Sequence, residues 1–224
     1  MTLGAYQQAY EYDYKGDQAD AIIRVGGNGD FEAKSQYDFM LKQGLKPFHH
    51  FLDLGCGCLR GTIRLIDYLD EARFHGADVS QGLLTAAEHR IKTMGIKNTP
   101  MFIRLNSFSD LRNFFTKFDY ILSVSLLTHL LPDAVSDLFG AVKDVLAENG
   151  VWYFSIIPSL EADHVGDVSV SQYKKEFLGK LAQEKGLLIK DWLADHPNPA
   201  PDFQVIKRTN QPYIGQWMLE AVHA

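Results

Sequence analysis

Five short apolar runs recur along the chain, each followed by a polar or amphipathic stretch, and this alternation limits the possible folds most. The runs are FLDL (51–54), RFHGAD (73–78), MFIRL (101–105), FDYILSV (118–124) and VWYFSII (151–157). Strand-like runs alternating with helix-period segments predict an α/β fold, a mostly parallel sheet with helices on both faces. The helices carry their own signals. Pro132 suits a first turn, Val135, Leu138, Phe139, Val142 and Leu146 form one apolar stripe, and Asn149-Gly150 offers a left-handed stop. A later helix is predicted from Ser171 to Gly186, burying Tyr173, Phe177, Leu178 and Leu181. Beyond it, LLIKDWL (187–193) and FQVIKRT (203–209) are joined by ADHPNPAPD, which leaves no room for a helix, so the last two of seven strands should pair antiparallel. Residues 1–45 read as a helical cap appended to the same domain, with residues 46–224 as its main body.

Charge and composition remove whole classes of function. A net charge of −6 and a pI near 5.7 leave no footprint for nucleic acid, whose binding rests on Lys and Arg neutralising phosphates. No apolar run reaches the 18 or more residues of a membrane span, and MTLGAYQQAYEYDYKGD is too polar for a secretory signal. The expectation is a cytoplasmic protein acting on a small molecule, of unstated oligomeric state. Cys56 and Cys58, one residue apart, fit neither a disulfide framework nor Cys-x-x-Cys metal spacing, and no metal is expected. Both read as small fillers. His49-His50 read as surface residues, and Tyr6, Tyr10 and Tyr14, at helical spacing, as a packing stripe.

The chemistry concentrates in FLDLGCGCLRG. Glycines at a strand-to-helix turn let backbone approach a ligand and aim N–H groups at it. In a dinucleotide site that turn cradles a pyrophosphate, which Asp53 would repel, and the third glycine here, Gly61, falls one position late for G-x-G-x-x-G. A ligand with a cation near the turn fits better. Asp53 can hold an ammonium, and Asp78, 21 residues after Gly57, can accept from both hydroxyls of a ribose. An amino acid joined to a nucleoside meets both needs, as in S-adenosylmethionine.

LDLGCG, GADVS, RLNSFSDL and FDYILSVSLLTHL, with the terminal antiparallel pair, resemble in order the motifs of the class I S-adenosylmethionine-dependent methyltransferases. The resemblance covers roughly residues 44–210 and implies a Rossmann-like methyltransferase fold. It also implies that Asp53, Gly55 and Gly57 line the methionine moiety, with Cys56 between the glycines. Asp78 would meet the ribose, Val79 would lie beside the adenine, and Asn106, Ser107 or Phe108 would flank it. Ser125 would face the methionine end. The adenine-edge position commonly carries Asp, and this chain has Asn106. GCGCLRG is similar to a bacterial small-molecule subgroup, which brings Arg60 near the cofactor, although an arginine in a first turn also reads as a surface residue.

Methyl transfer from an activated sulfonium requires alignment more than covalent help, so a base is needed only where the acceptor must lose a proton. His129 in SLLTHL is the candidate base, with His164 second. No D-P-P-Y or N-P-P-Y stretch follows the fourth strand, which disfavours DNA-base amino groups. Ser125 stands where catechol-type enzymes bind magnesium through a carboxylate. The expected function is metal-free transfer to O, N or S of a small acceptor. The alternatives are a catalytically silent cofactor-binding regulatory subunit and an NAD-dependent Rossmann oxidoreductase.

Overall fold

Each apolar run forms a strand. In the computed structural model, which describes residues 3–26, 29–159, 161–190 and 216–224, the chain divides into two compact units, Met1–Phe118 and Asp119–Ala224.

The first unit contains α1 (Gly4–Tyr10), α2 (Gln18–Arg24), α3 (Asp30–Lys42), β1 (Phe51–Leu54), α4 (Ile63–Tyr68), β2 (Phe74–Asp78), α5 (Gln81–Met94) and β3 (Met101–Arg104), and then a 3-10 segment, Phe108–Phe114. The strands lie in the order β3-β2-β1, all parallel, with Asp53 opposite Gly76 and Asp78 opposite Arg104. That register puts Asp53 and Asp78 near the carboxyl ends of neighbouring strands, where ligands bind in open α/β sheets. The α5 helix starts because Ser80 Oγ accepts from Leu83 N at 3.2 Å, and it stops at left-handed Gly95 (φ 70°). Tyr6 and Tyr10 lie in α1, but Tyr14 lies beyond it, so the three tyrosines do not share one helical stripe. His49 and His50 are half-buried, and His50 Nε2 meets the Arg73 guanidinium.

The second unit opens at β4 (Phe118–Ser123) and continues through a 3-10 turn (Leu127–His129), α6 (Pro132–Val145), β5 (Leu146–Pro158), β6 (His164–Gly166), β7 (Ser171–Tyr173), α7 (Lys175–Glu184), β8 (Leu187–Lys190) and β9 (Trp217–His223). Here the strands run β4-β5-β7-β6, while β9 pairs antiparallel with both β5 and β8. Phe139, Trp152 and Phe154 are fully buried, and Trp152 Nε1 satisfies its donor on Ser123 Oγ at 3.0 Å.

The fold class holds as expected, mixed α/β with a large, mostly parallel sheet and an antiparallel strand. Several details differ. Nine strands occur among the described residues rather than seven, because the segment after β5 folds into the short β6–β7 hairpin. Ser171 starts β7 rather than a helix. It pairs with Gly166 and is fully buried, and α7 begins only at Lys175. The α6 helix does not stop at Asn149-Gly150: the chain turns extended at Leu146 (φ −69°, ψ 135°), and Asn149-Gly150 lie within β5. The antiparallel partner of β8 is β9, and FQVIKRT (203–209) lies outside the described residues. No described helix is long and apolar enough to cross a membrane.

Candidate active site

The glycine turn after β1 spends its own amides. Gly55 N and Cys56 N both donate to the Ala77 carbonyl, at 2.8 and 3.1 Å, and Gly57 N donates to Asp78 Oδ2 at 2.9 Å. The sequence suggested that these N–H groups would face a ligand; they are instead consumed in joining the turn to the end of β2. A phosphate cradle needs donors, and this turn has already committed three. Gly57 sits at φ 52°, and a Cβ there would lie 3.2 Å from Val25 Cγ1, so the turn is bare because the N-terminal segment packs against it.

Two carboxylates face that turn from within the protein. Asp53, 6% exposed, accepts a hydrogen bond from Thr62 Oγ1, and Asp78, 9% exposed, accepts from Gly57 N and, through Oδ1, from Ser80 N at 2.9 Å. Burial pushes the Asp53 carboxyl up to about 7; the Thr62 hydrogen bond opposes the rise, the Asp78 charge adds to it, and Arg60 opposes it. Burial likewise raises Asp78, against the hydrogen bonds from Ser80, Gly57 and Val79. A buried carboxyl held near half-ionisation gains from a nearby cation. The residues therefore fit an ammonium-bearing nucleoside better than a pyrophosphate.

Around them stand the other predicted residues of this unit. Cys56 is buried with its thiol 3.8 Å from the Gly57 carbonyl, and burial raises both its pKa and that of Cys58. Arg60 forms an ion pair with Glu32 of α3 at 3.2 Å. Val79 accepts from Arg104 Nε at 3.2 Å, and Ser107 caps the 3-10 segment in a capping box with Asp110. Phe108 is buried at 4% exposure, while Asn106 is exposed and bonded to α1.

Sequence reading missed the N-terminal residues that close over this edge. Glu11 accepts from Gly82 N (3.0 Å), Ser80 Oγ (3.1 Å) and Tyr12 N (3.2 Å), and pairs with Arg104 at 2.9 Å. Burial pulls the Glu11 carboxyl upward, but these hydrogen bonds and Arg104 outweigh it and hold the pKa below the usual value. Gly82 admits the strand of chain above it: a Cβ there would sit 1.5 Å from the Tyr12 carbonyl oxygen. The only sequence signal was G-L-L opening α5, since the partners lie about 70 positions apart.

The second unit carries the acceptor-side candidates. Ser125 follows β4 in left-handed backbone (φ 61°), a conformation that costs a non-glycine residue energy. It is held on every side. Its N–H donates to Ser155 Oγ at 2.7 Å, its carbonyl accepts from Thr128 Oγ1 at 2.8 Å, and its hydroxyl meets Gln216 Nε2 at 3.0 Å. Ser155 Oγ donates to Gln216 Oε1 at 2.6 Å, closing a neutral ring. His129 places Nδ1 2.9 Å from the Ser169 carbonyl, and burial lowers its pKa despite hydrogen bonds to Ser169 and Val168. His164 instead meets Ser171 Oγ at 3.1 Å, and its ring lies tilted against that of Tyr173, whose hydroxyl donates to the Leu130 carbonyl. Among the described residues no group of three or more His, Cys, Asp or Glu side chains could hold a metal ion.

Residues 52–152 match a family described as a methyltransferase domain. In structure the chain is similar to the magnesium protoporphyrin IX methyltransferase ChlM of Synechocystis PCC 6803 with bound SAM, at 18% identity and a TM-score of 0.62, over 99% of this chain and 91% of that one. It is also similar to an S-adenosylmethionine-dependent methyltransferase of Clostridium acetobutylicum ATCC 824, at 19% identity and a TM-score of 0.63, over 92% and 96% of the two chains. A third likeness is to the glycopeptide N-methyltransferase MtfA in complex with SAM, at 13% identity and a TM-score of 0.61, over 88% and 95%. At such identities the shared property is the fold. No curated protein matches the chain in sequence. Residues 52–152 thus resemble a methyltransferase domain, and the fold of the chain is that of the class I, Rossmann-like methyltransferases.

Proposed function

We propose that this protein moves a methyl group from S-adenosylmethionine to an oxygen, nitrogen or sulfur atom of a small-molecule acceptor, without a metal. One observation carries the choice of donor: the glycine turn bonds its own amides while two buried carboxylates stand at its edge, an arrangement suited to a cation and a ribose rather than to phosphates. S-adenosylmethionine supplies a methyl group already activated on a sulfonium. Asp53 holds the ammonium end, with the Gly55, Cys56 and Gly57 turn and Arg60 assigned beside it. Asp78 accepts from the ribose hydroxyls, and Val79, Asn106, Ser107 and Phe108 border the base. Ser125 is assigned to the methionine end.

His129 is the assigned base for an acceptor that must lose a proton. Its lowered pKa keeps the imidazole neutral at pH 7, as a base must be, and the Ser169 carbonyl, 2.9 Å from Nδ1, orients the ring. Excluding water and aligning the acceptor supply the remaining rate. ChlM and MtfA carry a porphyrin and a glycopeptide in their names, which supports an acceptor of metabolite size. The absence of a described membrane-spanning helix and the acidic balance support a cytoplasmic protein that avoids nucleic acid.

The test is incubation with methyl-labelled S-adenosylmethionine and a metabolite extract. A small compound gaining the methyl mass without added metal is the expected result. Binding of the donor with no labelled product in any extract would favour a silent regulatory subunit.

A further inference from the structure

Gln7 and Asn106 form a pair of side-chain amides whose orientation is fixed by chemistry. Gln7, on α1, brings Nε2 to 2.9 Å from the Leu105 carbonyl oxygen and 3.0 Å from Asn106 Oδ1. A carbonyl oxygen can only accept, so the end of Gln7 that faces Leu105 is its amino end. The second hydrogen of that amino group goes to Asn106, which must answer with its oxygen. The Asn106 backbone is committed as well: its N–H donates to Asp110 Oδ2 at 2.8 Å, and its carbonyl accepts from Leu3 N at 2.8 Å. What remains is an ordered edge, with Asn106 Nδ2 as a donor and Gln7 Oε1 as an acceptor, neither bonded among the described residues.

That edge stands close to Asp78. Strands β2 and β3 pair in parallel with Asp78 opposite Arg104, and Leu105 N donates to the Asp78 carbonyl at 2.8 Å. Neighbouring strands lie about 4.8 Å apart. A nucleoside whose ribose hydroxyls meet Asp78 therefore has its base within reach of the end of β3, where Asn106 is exposed and Gln7 half-exposed.

We infer that Gln7 and Asn106 together read the adenine of the donor, Asn106 Nδ2 donating to a ring nitrogen and Gln7 Oε1 accepting from the 6-amino group. The inference rests on the donor reading above and adds to it a specificity-determining residue from the N-terminal helix, 99 positions from its partner. It also accounts for an amide at a position where the family commonly places Asp: Asn106 Oδ1 is spent on Gln7, and Gln7 supplies the outward-facing acceptor. Hypoxanthine replaces the 6-amino group by oxygen and carries a hydrogen on N1, which sets oxygen against oxygen at Gln7 and donor against donor at an Asn106 facing N1; without Gln7 the Asn106 amide is free to turn and answer both. Gln7 cannot rotate its amide to suit without losing the bond to Leu105.

The experiment compares S-adenosylhomocysteine with S-inosylhomocysteine by calorimetric titration of the unmodified protein, and then of Gln7→Leu. The adenosyl compound should bind more tightly by on the order of tenfold to a hundredfold. Gln7→Leu should weaken the adenosyl compound alone and bring the ratio to within about threefold. Equal affinity for both compounds in the unmodified protein would overturn the inference. Equal weakening of both by Gln7→Leu would overturn it too, since Gln7 would then serve only to hold α1 against β3. If Gln7→Leu does not fold, Gln7→Met, of matching length, takes its place. If the unmodified protein binds neither compound, the donor reading itself fails and this inference falls with it. Binding of both without discrimination defeats the inference alone.

Discussion

The strand ends of the two units hold their polar groups by opposite means. At the ends of β1 and β2, in the first unit, the groups are charged: Asp53 and Asp78 are buried, and burial drives both pKa values upward. Past the end of β4, in the second unit, they are neutral: Ser125, Ser155 and Gln216 donate and accept in a closed ring, and Ser155 is fully buried. A neutral ring satisfies itself and can hold a strained residue in place without outside help. Buried carboxylates with raised pKa values do not, and they gain when a cation arrives. On the proposed reading a ligand completes the first site, while the ring in the second holds Ser125 in its left-handed backbone conformation. Changes in the first should therefore appear in binding, and changes in the second in stability or turnover.

The largest effect expected is on turnover. His129→Gln should leave donor affinity unchanged while lowering the rate roughly 100-fold or more. Activity in the unmodified protein should rise as pH climbs through the His129 pKa, which burial places below the free value of about 6.5, and the variant should lose that limb. Steady-state rates across pH check both statements. An unchanged profile with reduced thermal stability would make His129 a packing residue.

Next comes Asp78→Ala. Losing charge-assisted hydrogen bonds to a ribose should cost about 2–3 kcal/mol of binding, roughly 30- to 150-fold in affinity. The same change strips the Gly57 and Ser80 amides of their acceptor, so denaturant unfolding should also register a loss of about 1–3 kcal/mol. Affinity and stability falling together set this position apart from those in the second unit. Gln216→Leu should show the reverse pattern, a loss of about 1–2 kcal/mol in stability with donor affinity within about twofold. A large fall in donor affinity in Gln216→Leu would erase the contrast between the two clusters.

How much of this was legible in the sequence follows the range of the interactions. The first three strands, the glycine turn and the acids at its edge were readable because each is encoded within about ten residues, by an apolar run, a glycine or a strand-end carboxylate. Ser171 misled because a serine before an amphipathic segment looks like a helix cap, and only the hairpin contact with Gly166 and His164 shows it to be a strand residue. Asn149-Gly150 misled in the same way, since β5 recruits it by pairing rather than by local preference. Glu11, Gln7 and Gln216 carry no signal in their own neighbourhood of the sequence. Each acts on partners 60 to 100 positions away, where neither periodicity nor spacing reaches.

The central claim, that the first site awaits a cation, has a direct readout in pH. A carboxyl whose folded pKa is about 7, against an unfolded value of roughly 4, stabilises the ligand-free fold only while protonated, so that contribution fades as pH rises from 4 toward 7. An ammonium beside Asp53 favours the ionised form, so donor affinity must move the other way. The measurement is calorimetric titration of S-adenosylmethionine into the unmodified protein and Asp53→Asn from about pH 5.5 to about pH 7. Affinity should rise roughly tenfold in the former and stay flat in the latter. Equal pH dependence in the two proteins, or none in either, would mean that Asp53 does not meet the donor's cation.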